Sequence, residues 1–338
     1  MRKDSIIYTL YSKLYFLPII IHNYICRKSL LLPLYDKKNA LNSNHDTNTK
    51  KVVVSMVLNE TTFTGGLSDR LRGIVSVYQT CKNKNLPFRI YFESLRLQDY
   101  LEPNRYDWNI DKEDICYDTN CSYPCTILTY HYNIKNRIQQ FAQKHILSYY
   151  LRKKYQQIHV YSNMAIADDK YSELFHELFK PTKELQEQID YHLNAIGGIG
   201  TYNAMVFRFR QLLGDFKEGG DILLEDEREA YIQRCLNLVE SQHNLYPNTK
   251  LLITSDSVTF LNRLSGYPYV YTIPGEVVHI GFTFDASKSV YMKSFIDYYM
   301  LSYAKKITLV RDSLMMHSGF ALRAAMLNGA EYGEIFIG

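Results

Sequence analysis

The chain has 338 residues, a hydrophobic fraction of 46%, a charged fraction of 22% and a formal net charge of +4. That length allows two domains of roughly 100 to 200 residues or one large one, and the apolar fraction excludes a chain that is disordered throughout. The charge is mild and no long Lys/Arg block is interleaved with aromatics, which argues against a nucleic-acid partner.

The first segment, "SIIYTLYSKLYFLPIIIHNYICRKSLLLPLY", is apolar but broken by Lys13, Pro18, His22, Asn23 and Arg27. No run of about 18 uncharged apolar residues is left to cross a bilayer. Two readings stay open: a helix packed on the domain, or an amphipathic stretch lying on a membrane surface. Asp36 to Lys51 is polar and reads as a linker, so residues 1–50 are expected to form an N-terminal segment. "VVVSMVL" then reads as a buried parallel strand and is followed by the glycine pair Gly65 and Gly66. From Leu71 the spacing Leu71, Ile74, Val75, Tyr78, Cys81 predicts a helix, and "FRIYF" resumes as strand.

"IHVYSN" predicts another strand, and Asp169 to Leu193 a mostly helical stretch. After "NAIGGIGTYN" the alternation repeats. "AMVFRF" is a strand; "EDEREAYIQRCLNLV" is a helix with Tyr231, Cys235, Leu238 and Val239 on one face. "KLLIT" is a strand whose following Ser255, Asp256 and Ser257 can cap the helix "VTFLNRL". "KITLV" leads through "RDSLMMHSGF" to a helix carrying Ala321, Ala324 and Ala325. Strands alternating with helices predict an α/β fold with parallel sheets, divided into domains 51–195 and 196–338.

Six cysteines are present: Cys26, Cys81, Cys116, Cys121, Cys125 and Cys235. The spacings within Cys116 to Cys125 are not the paired two-residue spacers of zinc modules, and a chain this long needs no disulfide staple. Reduced thiols, no metal site and a cytoplasmic location are the expectation. The 30 tyrosines are read first as packing residues and second as sugar-stacking surfaces.

Ligands of open α/β sheets sit beyond the carboxyl ends of the strands. Four polar clusters fall there: Gly65 to Arg72, Arg208 to Asp215, Ser255 to Ser257, and Ser313 to Phe320. A glycine pair followed by a helix offers bare N–H groups and a positive helix end to an anion such as a phosphate. The plainer reading is a tight turn, with Asp69 as a cap and Arg70 and Arg72 solvated. The loop has neither the Gly-Lys-Ser/Thr of a P-loop nor a three-glycine dinucleotide fingerprint.

"GGLSDRLRG" resembles the glycine loop of the fucosyltransferase superfamily that includes the α1,2-, α1,6- and protein O-fucosyltransferases. "VFRFRQLLGDF" resembles that superfamily's His-x-Arg motif, "ITSDS" its third block, and "SGFALRAAM" its Ser-x-Phe segment. The blocks occur in the family's order over Val52 to Gly338. The resemblance implies a bacterial-type member with the GT-B glycosyltransferase fold, two Rossmann-like domains whose parallel sheets face a central cleft. GDP-fucose, or another nucleotide sugar, would be the donor.

Carried over, Gly65, Gly66 and Asp69 fall in the glycine loop, and Arg208 matches the arginine on the donor's β-phosphate. Asp256 and Ser257 lie where donor contacts are expected, and Ser318 and Phe320 match the final motif. Val206 stands where the family has histidine; in the shifted register Arg208 replaces that histidine and Arg210 is the motif arginine. Ser68 stands at the loop's second glycine.

Transfer from a nucleotide sugar requires neutralising the leaving diphosphate and deprotonating the acceptor hydroxyl. An arginine fork serves the first need. From strand alternation only one of Arg208 and Arg210 is expected to face the cleft, the other forming a structural ion pair, and Arg208 is preferred as the phosphate ligand. No Asp-x-Asp pair occurs in the chain, so metal-independent turnover without a cofactor is expected. Asp69, Glu93 and His279 are candidate bases by type. The acceptor is expected to be a glycan or lipid-linked oligosaccharide of a bacterial-type surface polysaccharide, met by a cytoplasmic protein peripheral on the inner face of the membrane. A non-catalytic nucleotide- or sugar-binding protein of the same fold is the alternative.

Overall fold

The computed structural model describes residues 17–40, 51–58, 65–93, 95–128, 136–164, 170–216, 221–278, 280 and 286–337. Helix α1 covers residues 17–39, with a π-helical turn at Arg27–Leu31. Then follow β1 (Val52–Val57), α2 (Leu67–Lys82), β2 (Phe88–Phe92), β3 (Leu101–Pro103), β4 (Ser122–Ile127), α3 (Asn136–Tyr150), β5 (Gln157–Ser162), α4 (Tyr171–Leu178), β6 (Phe179–Pro181) and α5 (Lys183–Ile196). The rest is β7 (Asn203–Phe207), α6 (Glu225–Leu245), β8 (Leu251–Ser255), α7 (Val258–Arg263), β9 (Val270–Tyr271), α8 (Lys288–Ser302), β10 (Lys306–Arg311), α9 (Gly319–Asn328) and β11 (Glu331–Phe336).

The chain forms two compact units. The first runs to Phe179 apart from Gly66–Ser68 and Leu95–Glu102, which join the remainder from Lys180 in the second. The division therefore lies ahead of the 195/196 boundary expected from the glycine-rich stretch, because α5 packs on α8 and belongs with the second unit. The stretch expected as one helical region is two helices interrupted by β6, which pairs with β3.

The first unit holds a parallel sheet in the order β2-β1-β5-β4. The second holds a parallel sheet in the order β11-β10-β7-β8-β9, which winds outward from β7 in both directions. This is the doubly wound arrangement, and its switch point lies between β7 and β10. Its core gathers Met205, Phe207 and Phe209 with Tyr231, Cys235 and Val239 of α6, Ile253 of β8 and Phe260 of α7.

Helix α2 begins at Leu67, four residues before the expected start, so Asp69 and Arg70 are helical rather than loop residues. Its apolar stripe is buried as expected, but so are Arg70, Arg72, Ser76 and Thr80. These polar groups reach main-chain oxygens. Arg72 Nε donates to Asn163 O at 2.7 Å, and Ser76 Oγ to Met164 O at 2.8 Å. Helix and strand approach closely at Gly73, where a Cβ would lie 1.8 Å from Ser162 O of β5.

Residues 17–40 pack on the first unit as a helix, the first of the two readings for the N-terminal segment. Residues 1–16 and 41–50 lie outside the described residues; of the linker expected over Asp36 to Lys51, Asp36 to Asn39 are instead the last turn of α1. Tyr35 of α1 is fully buried, its hydroxyl 2.6 Å from His159 Nδ1 and 3.0 Å from Tyr161 Oη. Gln157 Nε2 donates to Asp114 O, so Gln157 Oε1 is an acceptor and His159 Nε2, 2.7 Å away, carries the proton. The tautomer follows: Tyr35 donates to an unprotonated Nδ1. Burial pushes the His159 imidazole down to about 3.

Cys116 and Cys121 form a disulfide, which corrects the expectation of six reduced thiols. The turn between them accounts for it: Asp118 O accepts Cys121 N at 3.1 Å and Ser122 N at 2.8 Å, folding the chain back on itself. Cys26, Cys81, Cys125 and Cys235 are free and buried. Burial pushes the Cys235 thiol up to about 12.

Two consequences are measurable. Gly73→Ala should cost at least about 3 kcal/mol, because the added methyl meets main chain rather than a yielding side chain; the denaturant midpoint should drop at unchanged slope. An unfolded histidine takes a proton near 6.5 while the folded His159 resists down to about 3. Its contribution is therefore complete above pH ~6.5 and is lost by about 1.4 kcal/mol per unit as the pH falls toward 3. In His159→Gln, that part of the pH dependence of the thermal midpoint should vanish.

Candidate functional site

Three of the four predicted clusters meet at the carboxyl edge of the second sheet. Strand β7 ends at Phe207, β8 at Ser255 and β10 at Arg311, so Arg208, Asp256 and the Asp312 to Ser318 segment follow from neighbouring strands. Met316 N donates to Arg208 O at 3.3 Å, tying the segment after β10 to the turn after β7.

Asp256 is the centre of the arrangement. It is 5% exposed, its Oδ2 lies 2.5 Å from Arg208 Nη1, and its two oxygens accept the N–H groups of Phe209 (2.8 Å) and Arg210 (2.7 Å). Burial pushes its carboxyl up, and the Arg208 guanidinium and those N–H groups pull it back. The Arg208 guanidinium also lies over the Phe216 ring, 4.8 Å from its centroid.

Phe209 is buried in the core, and Arg210 is left-handed with φ +56. The strand-alternation argument for choosing between the arginines therefore does not apply: the β geometry stops at Phe207. Val206, where the family has histidine, is buried within β7.

Ser257 is fully buried and caps α7, its Oγ accepting from Phe260 N at 3.1 Å and donating to Asp215 Oδ2 at 2.8 Å. Asp215 Oδ2 also accepts Thr259 N at 2.7 Å. The cap is thus a pair, and the Asp215 half was missed in sequence although it stands in the quoted "LLGDF". Ser318 caps α9 through Phe320 N at 3.3 Å, and the Phe320 ring meets Tyr298 edge-on at 5.2 Å. Asp312 was also missed: it accepts from Tyr231 Oη at 2.5 Å and from Leu314 N and Met315 N at 2.7 Å, shaping the turn into α9.

The fourth cluster is built around Gly65 in the first unit, whose φ of +81 suits glycine. A Cβ there would lie 2.6 Å from Asp69 Oδ2. Arg70 Nε donates to Gly65 O at 2.7 Å, and Asp69 pairs with Arg72 Nη1 at 3.0 Å. Arg70 and Arg72 are therefore buried braces rather than the solvated residues of the plainer reading. Gly66 and Ser68 group with the second unit.

Of the candidate bases, Asp69 is held by Arg72, Glu93 is paired with Lys38 at 3.1 Å, and His279 lies outside the described residues. Among the described residues no group of three or more His, Cys, Asp or Glu is arranged to hold a metal ion.

No protein-family model matches the chain, and no curated protein matches it in sequence. Solved structures do. A point mutant of Arabidopsis thaliana FUT1 in complex with GDP has a TM-score of 0.55 at 12% identity, covering 95% of this chain and 78% of that one. The fucosyltransferase NodZ from Bradyrhizobium, as its Se-Met form, has a TM-score of 0.53 at 14% identity, covering 83% and 93%. NodZ alpha-1,6-fucosyltransferase co-crystallized with GDP has a TM-score of 0.50 at 16% identity, with the same coverage. The chain shares its fold, two units built on parallel sheets, with these GT-B fucosyltransferases.

Proposed function

We propose that the protein is an inverting, metal-independent glycosyltransferase that moves L-fucose from GDP-fucose to a glycan or oligosaccharide. The observation that carries this reading is Arg208, held by a buried carboxylate at the edge of the second sheet, beside the switch point where such sheets take ligands. Similar folds crystallised with GDP support it.

Breaking the sugar–phosphate bond leaves growing negative charge on the diphosphate, and a guanidinium held in place before the reaction lowers that cost without reorganising. Asp256 positions it, occupying Nη1. The N-terminus of α9, capped by Ser318, adds a partial positive charge from the adjoining strand. The acceptor hydroxyl must lose a proton. With Asp69 and Glu93 in ion pairs, His279 is the proposed base. Within the second unit we assign the donor to Arg208, Arg210 and the segment through Phe320, with Asp256 holding the turn after β7 and Ser257 capping α7. The acceptor is a surface glycan or lipid-linked oligosaccharide, and the protein works peripherally on a membrane; the Cys116–Cys121 disulfide counts against the cytoplasmic side expected from reduced thiols.

A thermal-shift comparison of GDP, UDP and CMP tests the donor. GDP at about 100 times its Kd should stabilise by about 2.7 kcal/mol, the others far less. Arg208→Ala should abolish that shift and lower transfer by about a hundredfold to a thousandfold, and Arg208→Lys should recover little, because an ammonium lacks the planar fork. Equal stabilisation by all three nucleotides, or an unchanged shift in Arg208→Ala, would refute the assignment. Retained GDP binding without transfer across a broad acceptor panel would favour the non-catalytic alternative, which Val206 and Ser68, both buried, motivate. Turnover should survive a chelator; loss restored by manganese would overturn metal independence.

A further inference from the structure

The outward face of α1 is apolar. Leu17, Ile20, Ile21, Tyr24 and Ile25 follow the spacing of one helix stripe, yet each is 44% to 62% exposed, while Asn23 and Cys26 face inward. The inward side is fixed: Thr126 Oγ1 donates to Asn23 Oδ1 at 3.1 Å, and Arg27 Nε to Pro124 O at 3.1 Å, both on β4. An ordinary surface helix is the other way round.

Beside this stripe, between α1 and α3, lies a cavity of about 850 Å³. Its charged lining is basic, from Arg27, Lys84, Arg152 and Lys153, with the His145 ring beside them, and no carboxylate lines it. The surrounding chain repeats the bias: residues 17–35 and 136–156 contain no Asp or Glu, in a protein whose net charge is only +4. Tyrosines sit among the cations. The Arg27 guanidinium is 4.5 Å from the Tyr123 centroid and Lys153 Nζ is 4.6 Å from that of Tyr149. Apolar side chains, cations and aromatic rings on one face are what the boundary between headgroups and acyl chains selects. Among the described residues no helix is long and apolar enough to cross a membrane.

We infer that this face docks on an anionic lipid surface, the α1 stripe entering the acyl boundary and the basic cavity receiving a phosphate-bearing headgroup. This deepens the peripheral location given above by naming the surface and the lipid charge. It does not depend on the donor chemistry, since GDP-induced stabilisation reports the one and vesicle binding the other.

Co-sedimentation of the full chain with vesicles of phosphatidylcholine, and with vesicles in which phosphatidylglycerol replaces a third of it, tests the inference. Binding is expected to the anionic vesicles and to weaken with salt. Arg152→Gln with Lys153→Gln should lower the partition coefficient by roughly 25-fold, at about fivefold per charge. Ile21→Ser with Ile25→Ser should lower it by about tenfold or more, and because both side chains are exposed the thermal midpoint and the GDP shift should be unchanged. Equal binding to both vesicle types, binding to neither, or parental binding by both double variants would overturn the inference. So would preference for a single-stranded oligonucleotide over anionic vesicles, which would assign the basic face to nucleic acid.

Discussion

A carboxylate shut away from water persists only where enough donors converge on it, and the edge of the second sheet is organised by that demand at Asp256. Its donors come from three consecutive residues after β7: the side chain of Arg208 and the main chains of Phe209 and Arg210. Meeting them forces the chain out of β geometry, so Arg210 takes a left-handed conformation while Phe209 turns into the core. The core and the charged edge are thus set by one turn. Arg208 is presented at that edge by both.

The first unit solves a related problem differently. Its helix α2 carries arginines and hydroxyls into a buried setting, where carbonyl oxygens of Gly65, Asn163 and Met164 accept from Arg70, Arg72 and Ser76 while the Asp69 carboxylate pairs with Arg72. Main-chain acceptors bring no net charge and are fixed in place, so the helix can lie flush against β5 at Gly73. The cost is rigidity of composition around residues 65–73, where a glycine, a carboxylate and two arginines hold one another.

Much of this was legible in sequence, for identifiable reasons. The β-branched runs of β1 and β10 stand out because strands buried on both faces need no polar alternation. Ser257 was readable as a cap at a strand end ahead of a helix, since a cap is a local event. What escaped was nonlocal or contrary to pattern. Helix α8 is buried on all sides from Tyr291 onward and carries the pair Lys293–Asp297 inside, so it shows no amphipathic stripe. Strand β4 contains Pro124, tolerated because β4 is at the sheet edge. The burial of Arg70 and Arg72 depends on partners up to 91 residues away, and Asp215 reaches Ser257 across 42 residues.

The π turn of α1 has a geometric effect on what that helix can touch. Asn23 and Cys26 face β4, Leu31 and Tyr35 face the core, and Leu31 follows Cys26 by five positions where an uninterrupted helix would repeat after three or four. The widened turn absorbs the additional residue as an outward bulge at Lys28 to Leu30, so both halves keep their inward sides aligned. Without that correction the two halves would rotate out of phase by about 100°. Either Tyr35 would leave its histidine or Asn23 would leave its threonine, and a single rod could no longer be gripped along its whole length while its opposite flank stays bare.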